Sequence, residues 1–143
     1  MARKRVLFLC TGNSCRSQMA EAVVNARMGD KWHAFSAGVA PAGEIKPNTL
    51  KVLSELGIDH TGTSKHVNQF INDKFDLVVT VCDDAAENCP VWLGKGHMEH
   101  LSFRDPAKAE GTEEEKLETY RDVLLEISMK IPVLLETYEK QAA

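Results

Sequence analysis

The chain has 143 residues, within the size of one domain and enough to bury a core without disulfide support. Its 43% hydrophobic and 27% charged residues are ordinary for a soluble globular protein, and a formal net charge of -4 supplies no general attraction for nucleic acid or an anionic membrane. An anion site in such a chain must be built locally, by geometry. Arg3, Lys4 and Arg5 precede the apolar run Val6-Leu7-Phe8-Leu9. That run is much shorter than a signal-peptide core, and no segment approaches the length of a membrane span. The chain therefore reads as cytoplasmic, where thiols stay reduced. Its four cysteines, Cys10, Cys15, Cys82 and Cys89, then point to catalysis or metal binding before structural staples.

In chain order, Arg5 to Leu9 is a short apolar run that fits a buried strand, closed by a Gly-Asn turn. Ser17 to Met28 carries apolar residues at helical spacing, with Gly29-Asp30 as its stop. Trp32 to Ala37 alternates as a second strand before Gly38. Pro47 suits a first helical turn, and Leu50, Leu53 and Leu56 mark one face up to Gly57. Asp76 to Val81 is β-branched and reads as a central strand, and His97 to Phe103 as a weaker one. Thr112 to Glu115 has capping-box spacing, and Leu117, Tyr120, Leu124, Ile127, Ile131, Leu134 and Tyr138 continue a helical stripe. Pro132 inside that stripe predicts a kink or an early end. Alternating strands and helices imply a single α/β domain over residues 1–143, with a four-stranded parallel sheet covered by helices on both faces.

Between the first strand and the first helix lies Cys10-Thr11-Gly12-Asn13-Ser14-Cys15-Arg16-Ser17. A tight loop entering a helix gathers backbone N–H groups and the positive end of the helix dipole around an oxyanion. Gly12 and Asn13 are residue types that accept the positive φ angles such a loop requires. Arg16 offers a planar fork of donors for two anion oxygens. Cys10 would aim its sulfur at the central atom, with Arg16, the amides and the Ser17 hydroxyl stabilising a thiolate. A cysteine ending a buried strand is often a small hydrophobe. The combination of Cys, five residues, Arg and a hydroxyl at a strand–helix junction is far more demanding than that.

VLFLCTGNSCRSQMAEA resembles the phosphate loop of the low-molecular-weight protein tyrosine phosphatase superfamily. FSAG at Phe35 to Gly38, DLVVTVCDDAAENCP at Asp76 to Pro90 and FRDPAKAEGTEEE at Phe103 to Glu115 extend the similarity to its thioredoxin-coupled arsenate reductases. The resemblance implies that fold, with Cys10 as nucleophile, Arg16 as anion clamp and Asp105 as general acid. It implies binding of arsenate, with phosphate or sulfate as competing anions, by Thr11, Gly12, Asn13, Ser14, Cys15, Arg16 and Ser17. It further implies a relay in which Cys82 attacks the Cys10–arsenate adduct, Cys89 attacks Cys82, and thioredoxin reduces the resulting Cys82–Cys89 disulfide. Residues 83–88 carry early acids and helix formers, so a helical segment there would have to unwind for that last disulfide to close.

Two other readings compete. A tyrosine phosphatase would use the same loop and Asp105, but Ala107-Lys108-Ala109 offers no aromatic wall for a phosphotyrosine ring. A thiol-based metal module from Cys82, Cys89, His97 and His100 lacks the close Cys-x2-Cys pair usual for zinc. No tightly bound cofactor or metal is expected. Some family members bind potassium at positions matching Asn13, Glu21 and Ser36 plus an acid where this chain has Lys65, and a lysine there argues against potassium stimulation. The chain reads as a monomer. Cys15 has no assigned role, and His33, His60, His66, His97 and His100 read as structural or surface residues.

Overall fold

Four strands and three helices succeed one another in the computed structural model, which describes residues 2–83, 92 and 94–142. Among these residues the order is β1 (Lys4–Cys10), α1 (Arg16–Arg27), β2 (Trp32–Gly38), α2 (Pro47–Glu55), β3 (Lys74–Thr80), β4 (Lys95–His100) and α3 (Glu113–Ala142). The strands form one sheet in the order β2-β1-β3-β4, with every pair parallel. The chain leaves β1 toward β2 on one side and later returns to β3 on the other. The crevice that such a switch opens lies at the carboxyl end of β1, where Cys10 sits opposite Gly38.

Val6, Phe8 and Cys10 point into one core cluster, Leu7 and Leu9 into the other, and none is more than 2% exposed. A strand buried on both faces has no use for alternation, which is why its sequence shows none. All three described helices pack into the cluster below Val6 and Phe8: Met19 and Val23 of α1, Val52 and Leu53 of α2, and Leu117, Leu124 and Ile127 of α3. Trp92, Val67 and Phe70 pack on the opposite face, the last two from a 3-10 turn at Val67–Phe70 that the sequence pattern missed. Helical cover on both faces is therefore seen on one face among the described residues. Phe75 and Leu77 share strand parity yet enter different clusters, because the β3–β4 register shifts between Lys74 and Leu77.

One expectation needs correction, and of the two outcomes expected at Pro132 one is removed. β4 ends at His100 rather than running to Phe103, and its residues are mostly exposed, as an edge strand allows. Pro132 does not end α3, which continues to Ala142. An interior proline costs about 3 kcal/mol. Burying an aliphatic side chain contributes about 1.5–3 kcal/mol, and Ile127, Ile131 and Leu135 around the proline are each 0% exposed. The helix start behaves as its sequence predicts: the Thr112 amide donates to Glu115 Oε1 at 3.1 Å, and the Glu115 amide to Thr112 Oγ1 at 3.1 Å. Among the described residues no helix is long and apolar enough to cross a membrane.

Candidate active site

The loop between β1 and α1 is held by its carbonyls. Thr11 O accepts from the Ala40 amide at 3.0 Å, and Gly12 O from the Ala42 amide at 2.9 Å and from Ser64 Oγ at 2.9 Å. Asn13 O accepts from Gln18 Nε2 at 3.2 Å, and Ser14 O from the Lys46 amide at 3.1 Å and Thr49 Oγ1 at 3.0 Å. With the carbonyls engaged outward, the Asn13 amide turns inward and reaches Cys10 Sγ at 3.3 Å. Asn13 alone takes the left-handed conformation, at φ 50; Gly12 does not, contrary to expectation. Gly38 is required by proximity instead, since a Cβ there would collide with Thr11 O.

Cys10 is buried, and its sulfur lies 2.8 Å from Ser17 Oγ. Ser17 Oγ in turn receives Asn13 Nδ2 at 2.8 Å. Arg16 is 3% exposed, with NH1 donating to Phe103 O at 3.1 Å and NH2 lying 3.7 Å from Asp105 Oδ2. Asp105 also caps a 3-10 turn at Pro106–Lys108, accepting from the Ala107 amide at 3.0 Å. A cavity of about 270 Å³ gathers Cys10, Thr11, Gly12, Ser14, Cys15, Arg16 and Asp105 in its walls. Of the predicted anion-binding residues, Asn13 and Ser17 stand behind that wall. Lys46 and Lys108 also line it. Sequence reasoning assigned no role to either, because nothing local ties Lys46 to a loop thirty residues away.

Cys15 is buried beneath the loop, its thiol 3.6 Å from Tyr120 Oη and 3.8 Å from Ser14 Oγ. Burial pushes the Cys15 thiol up, so it is held as a protonated packing group. Tyr120, read in the sequence as one more apolar position of α3, is thus also a polar support for the loop.

Cys82 follows β3, is fully buried and is disulfide-bonded, whereas Cys10 and Cys15 are free thiols. Cys89 and the segment read as helical lie outside the described residues, apart from Asp83. The two histidines of the competing metal reading are otherwise engaged: His97 Nε2 lies 2.8 Å from Glu99 Oε1, and His100 Nδ1 is 2.6 Å from Thr80 Oγ1. Among the described residues no group of three or more His, Cys, Asp and Glu is placed to hold a metal ion.

The low molecular weight phosphotyrosine protein phosphatase family model matches residues 5–143. An arsenate reductase of Bacillus licheniformis is 46% identical over 140 residues, 97% of this chain and 100% of the relative. The crystal structure of arsenate reductase from Archaeoglobus fulgidus aligns with TM-score 0.78 at 34% identity, covering 92% of this chain and 98% of that one. A thioredoxin-dependent arsenate reductase of Corynebacterium glutamicum aligns with TM-score 0.68 at 27% identity, covering 97% of this chain and 63% of that one. With a loop that puts Cys10, Arg16 and Asp105 around one small cavity and a family model matching almost the whole chain, this protein belongs to the low molecular weight phosphotyrosine protein phosphatase family.

Proposed function

We propose that the protein reduces arsenate to arsenite, with Cys10 as nucleophile and an external dithiol of the thioredoxin type as reductant. The observation that carries this reading is the pairing of a free, hydrogen-bonded Cys10 in the wall of the loop cavity with a disulfide-bonded Cys82 after the neighbouring strand. A hydrolase needs only the first. The kinship with arsenate reductases of Bacillus licheniformis and Archaeoglobus fulgidus supports the same choice.

Arsenate enters with its oxygens toward the loop amides and the Arg16 guanidinium. The Cys10 thiolate attacks arsenic, and a protonated Asp105 turns the departing oxygen into water. The Cys82 thiolate then attacks Cys10 Sγ. The S–As bond breaks and its electron pair stays on arsenic, taking As(V) to As(III), and a Cys10–Cys82 disulfide remains. Cys89 attacks Cys82, frees Cys10 as a thiolate and leaves a Cys82–Cys89 disulfide for the external dithiol.

Potassium does not fit. Ser36 Oγ donates to Glu21 Oε1 at 2.9 Å, and the Lys65 charge acts on the same carboxylate. A cation at Asn13, Glu21 and Ser36 would stand beside that ammonium, so no step uses one. The test is a single turnover: fully reduced protein mixed with arsenate should yield about one arsenite per chain before any reductant is added, and Cys10→Ser should yield none. Arsenite formation by Cys10→Ser would refute the assignment.

A further inference from the structure

Behind the loop lies a buried polar chain whose hydrogen-bond directions are fixed by its fixed members. The Lys65 backbone N–H can only donate, and it reaches Asn13 Oδ1 at 2.8 Å. The other end of that amide, Nδ2, therefore donates to Ser17 Oγ at 2.8 Å. Against a Cys10 thiolate, which can only accept, Ser17 Oγ donates its own proton to Sγ at 2.8 Å. Gln18 Nε2 faces three acceptors: Asn13 O at 3.2 Å, Asn13 Oδ1 at 3.0 Å and Thr63 O at 3.0 Å. Its Oε1 thus faces His60 Nε2, 2.9 Å away, and that nitrogen must carry a proton. Every donor from His60 to Ser17 points toward the sulfur.

We propose that His60 is a positioning residue for the Cys10 nucleophile, acting through Gln18, Asn13 and Ser17. The His60 side chain is 7% exposed, unlike a surface histidine. Gly62 gives it room, because a Cβ there would lie 3.1 Å from His60 Nε2 and 3.2 Å from Gln18 Oε1. Burial, with the Lys65 charge, lowers the His60 pKa and favours a neutral ring with one proton. Glu21 Oε2 lies 3.7 Å from Nε2, too far to take that proton from Gln18. A chain of donors polarised in one direction strengthens its last bond, here the one on the Cys10 sulfur. Without His60, Gln18 Oε1 loses its donor while Gln18 Nε2 keeps its three acceptors, so what is lost is the polarisation passed along the chain.

The inference rests on Cys10 as the nucleophile, but it can be read without arsenate. In the fully reduced protein at pH 7, iodoacetamide alkylation is followed at each cysteine by peptide mass mapping, beside the kinetics of aryl phosphate hydrolysis. His60→Leu and Gly62→Ala should slow alkylation of Cys10 and lower kcat by about three- to ten-fold, with KM changed less than about two-fold. His60→Gln, which keeps an N–H for Gln18, should restore both. The ¹⁵N spectrum of the His60 ring should show the Nε2-protonated tautomer. Unfolding would have the opposite signature, faster alkylation of buried Cys15, and should His60→Leu unfold, Gly62→Ala decides. Unchanged Cys10 reactivity in Gly62→Ala, no rescue by His60→Gln, or an Nδ1-protonated ring would overturn the proposal. Absence of arsenate reduction alongside the predicted alkylation pattern would refute the reductase reading and leave this one standing.

Discussion

In the proposed mechanism Asp105 has two tasks, capping a turn and donating a proton, whose requirements differ. Its Oδ1 caps the turn at Pro106–Lys108, while its Oδ2 faces Arg16 at 3.7 Å. Asp105→Asn keeps an oxygen for the Ala107 amide but cannot donate a carboxyl proton. Hydrolysis of an aryl phosphate should therefore fall about a hundred-fold, with competitive inhibition by phosphate nearly unchanged. A comparable loss of phosphate binding would mean that Asp105 serves mainly to hold the loop. At this scale the sequence was legible where residue type and spacing carry chemistry: Cys10, Arg16 and Asp105 meet in one cavity as their motifs suggested. It was silent about His60, Gln18 and Lys46. Their roles depend on which distant backbone stands beside them, and His60 sits 42 positions from its partner Gln18.

The loop owes its shape to the elements around it as much as to its own residues. Segment 39–49 supplies the Ala40, Ala42 and Lys46 amides and Thr49 Oγ1, and the end of β2 supplies a glycine where the backbones nearly touch. Gly38→Ala should destabilise the fold by about 1–3 kcal/mol, read from urea unfolding midpoints, and weaken phosphate binding with it. Equal stability and binding would show that the loop can shift at no cost. Strand and helix positions followed from buried runs and capping residues. The two 3-10 turns and the continuation of α3 through Pro132 did not, since tertiary packing decides both. The β3 irregularity that sends Phe75 and Leu77 to opposite faces likewise leaves no mark in the local sequence.

For the molecule as a whole, a net charge of -4 implies no long-range attraction for an arsenate dianion. On the proposed reading, affinity comes at short range from the groups lining the cavity, among them Arg16, Lys46 and Lys108. The same anion site would serve a phosphatase, so what separates the two activities is the fate of the Cys10 adduct. Water resolves it in hydrolysis, and a second thiol resolves it in reduction. The most direct measurement is a pair of rates on one set of proteins: arsenate-dependent NADPH consumption with thioredoxin and its reductase, and hydrolysis of a small aryl phosphate. Cys10→Ser should abolish both, whereas Cys82→Ser and Cys89→Ser should abolish steady-state arsenate turnover and leave hydrolysis within about two-fold of wild type. Equal loss of both activities in the Cys82 and Cys89 variants, or arsenate turnover that survives without them, would contradict the relay.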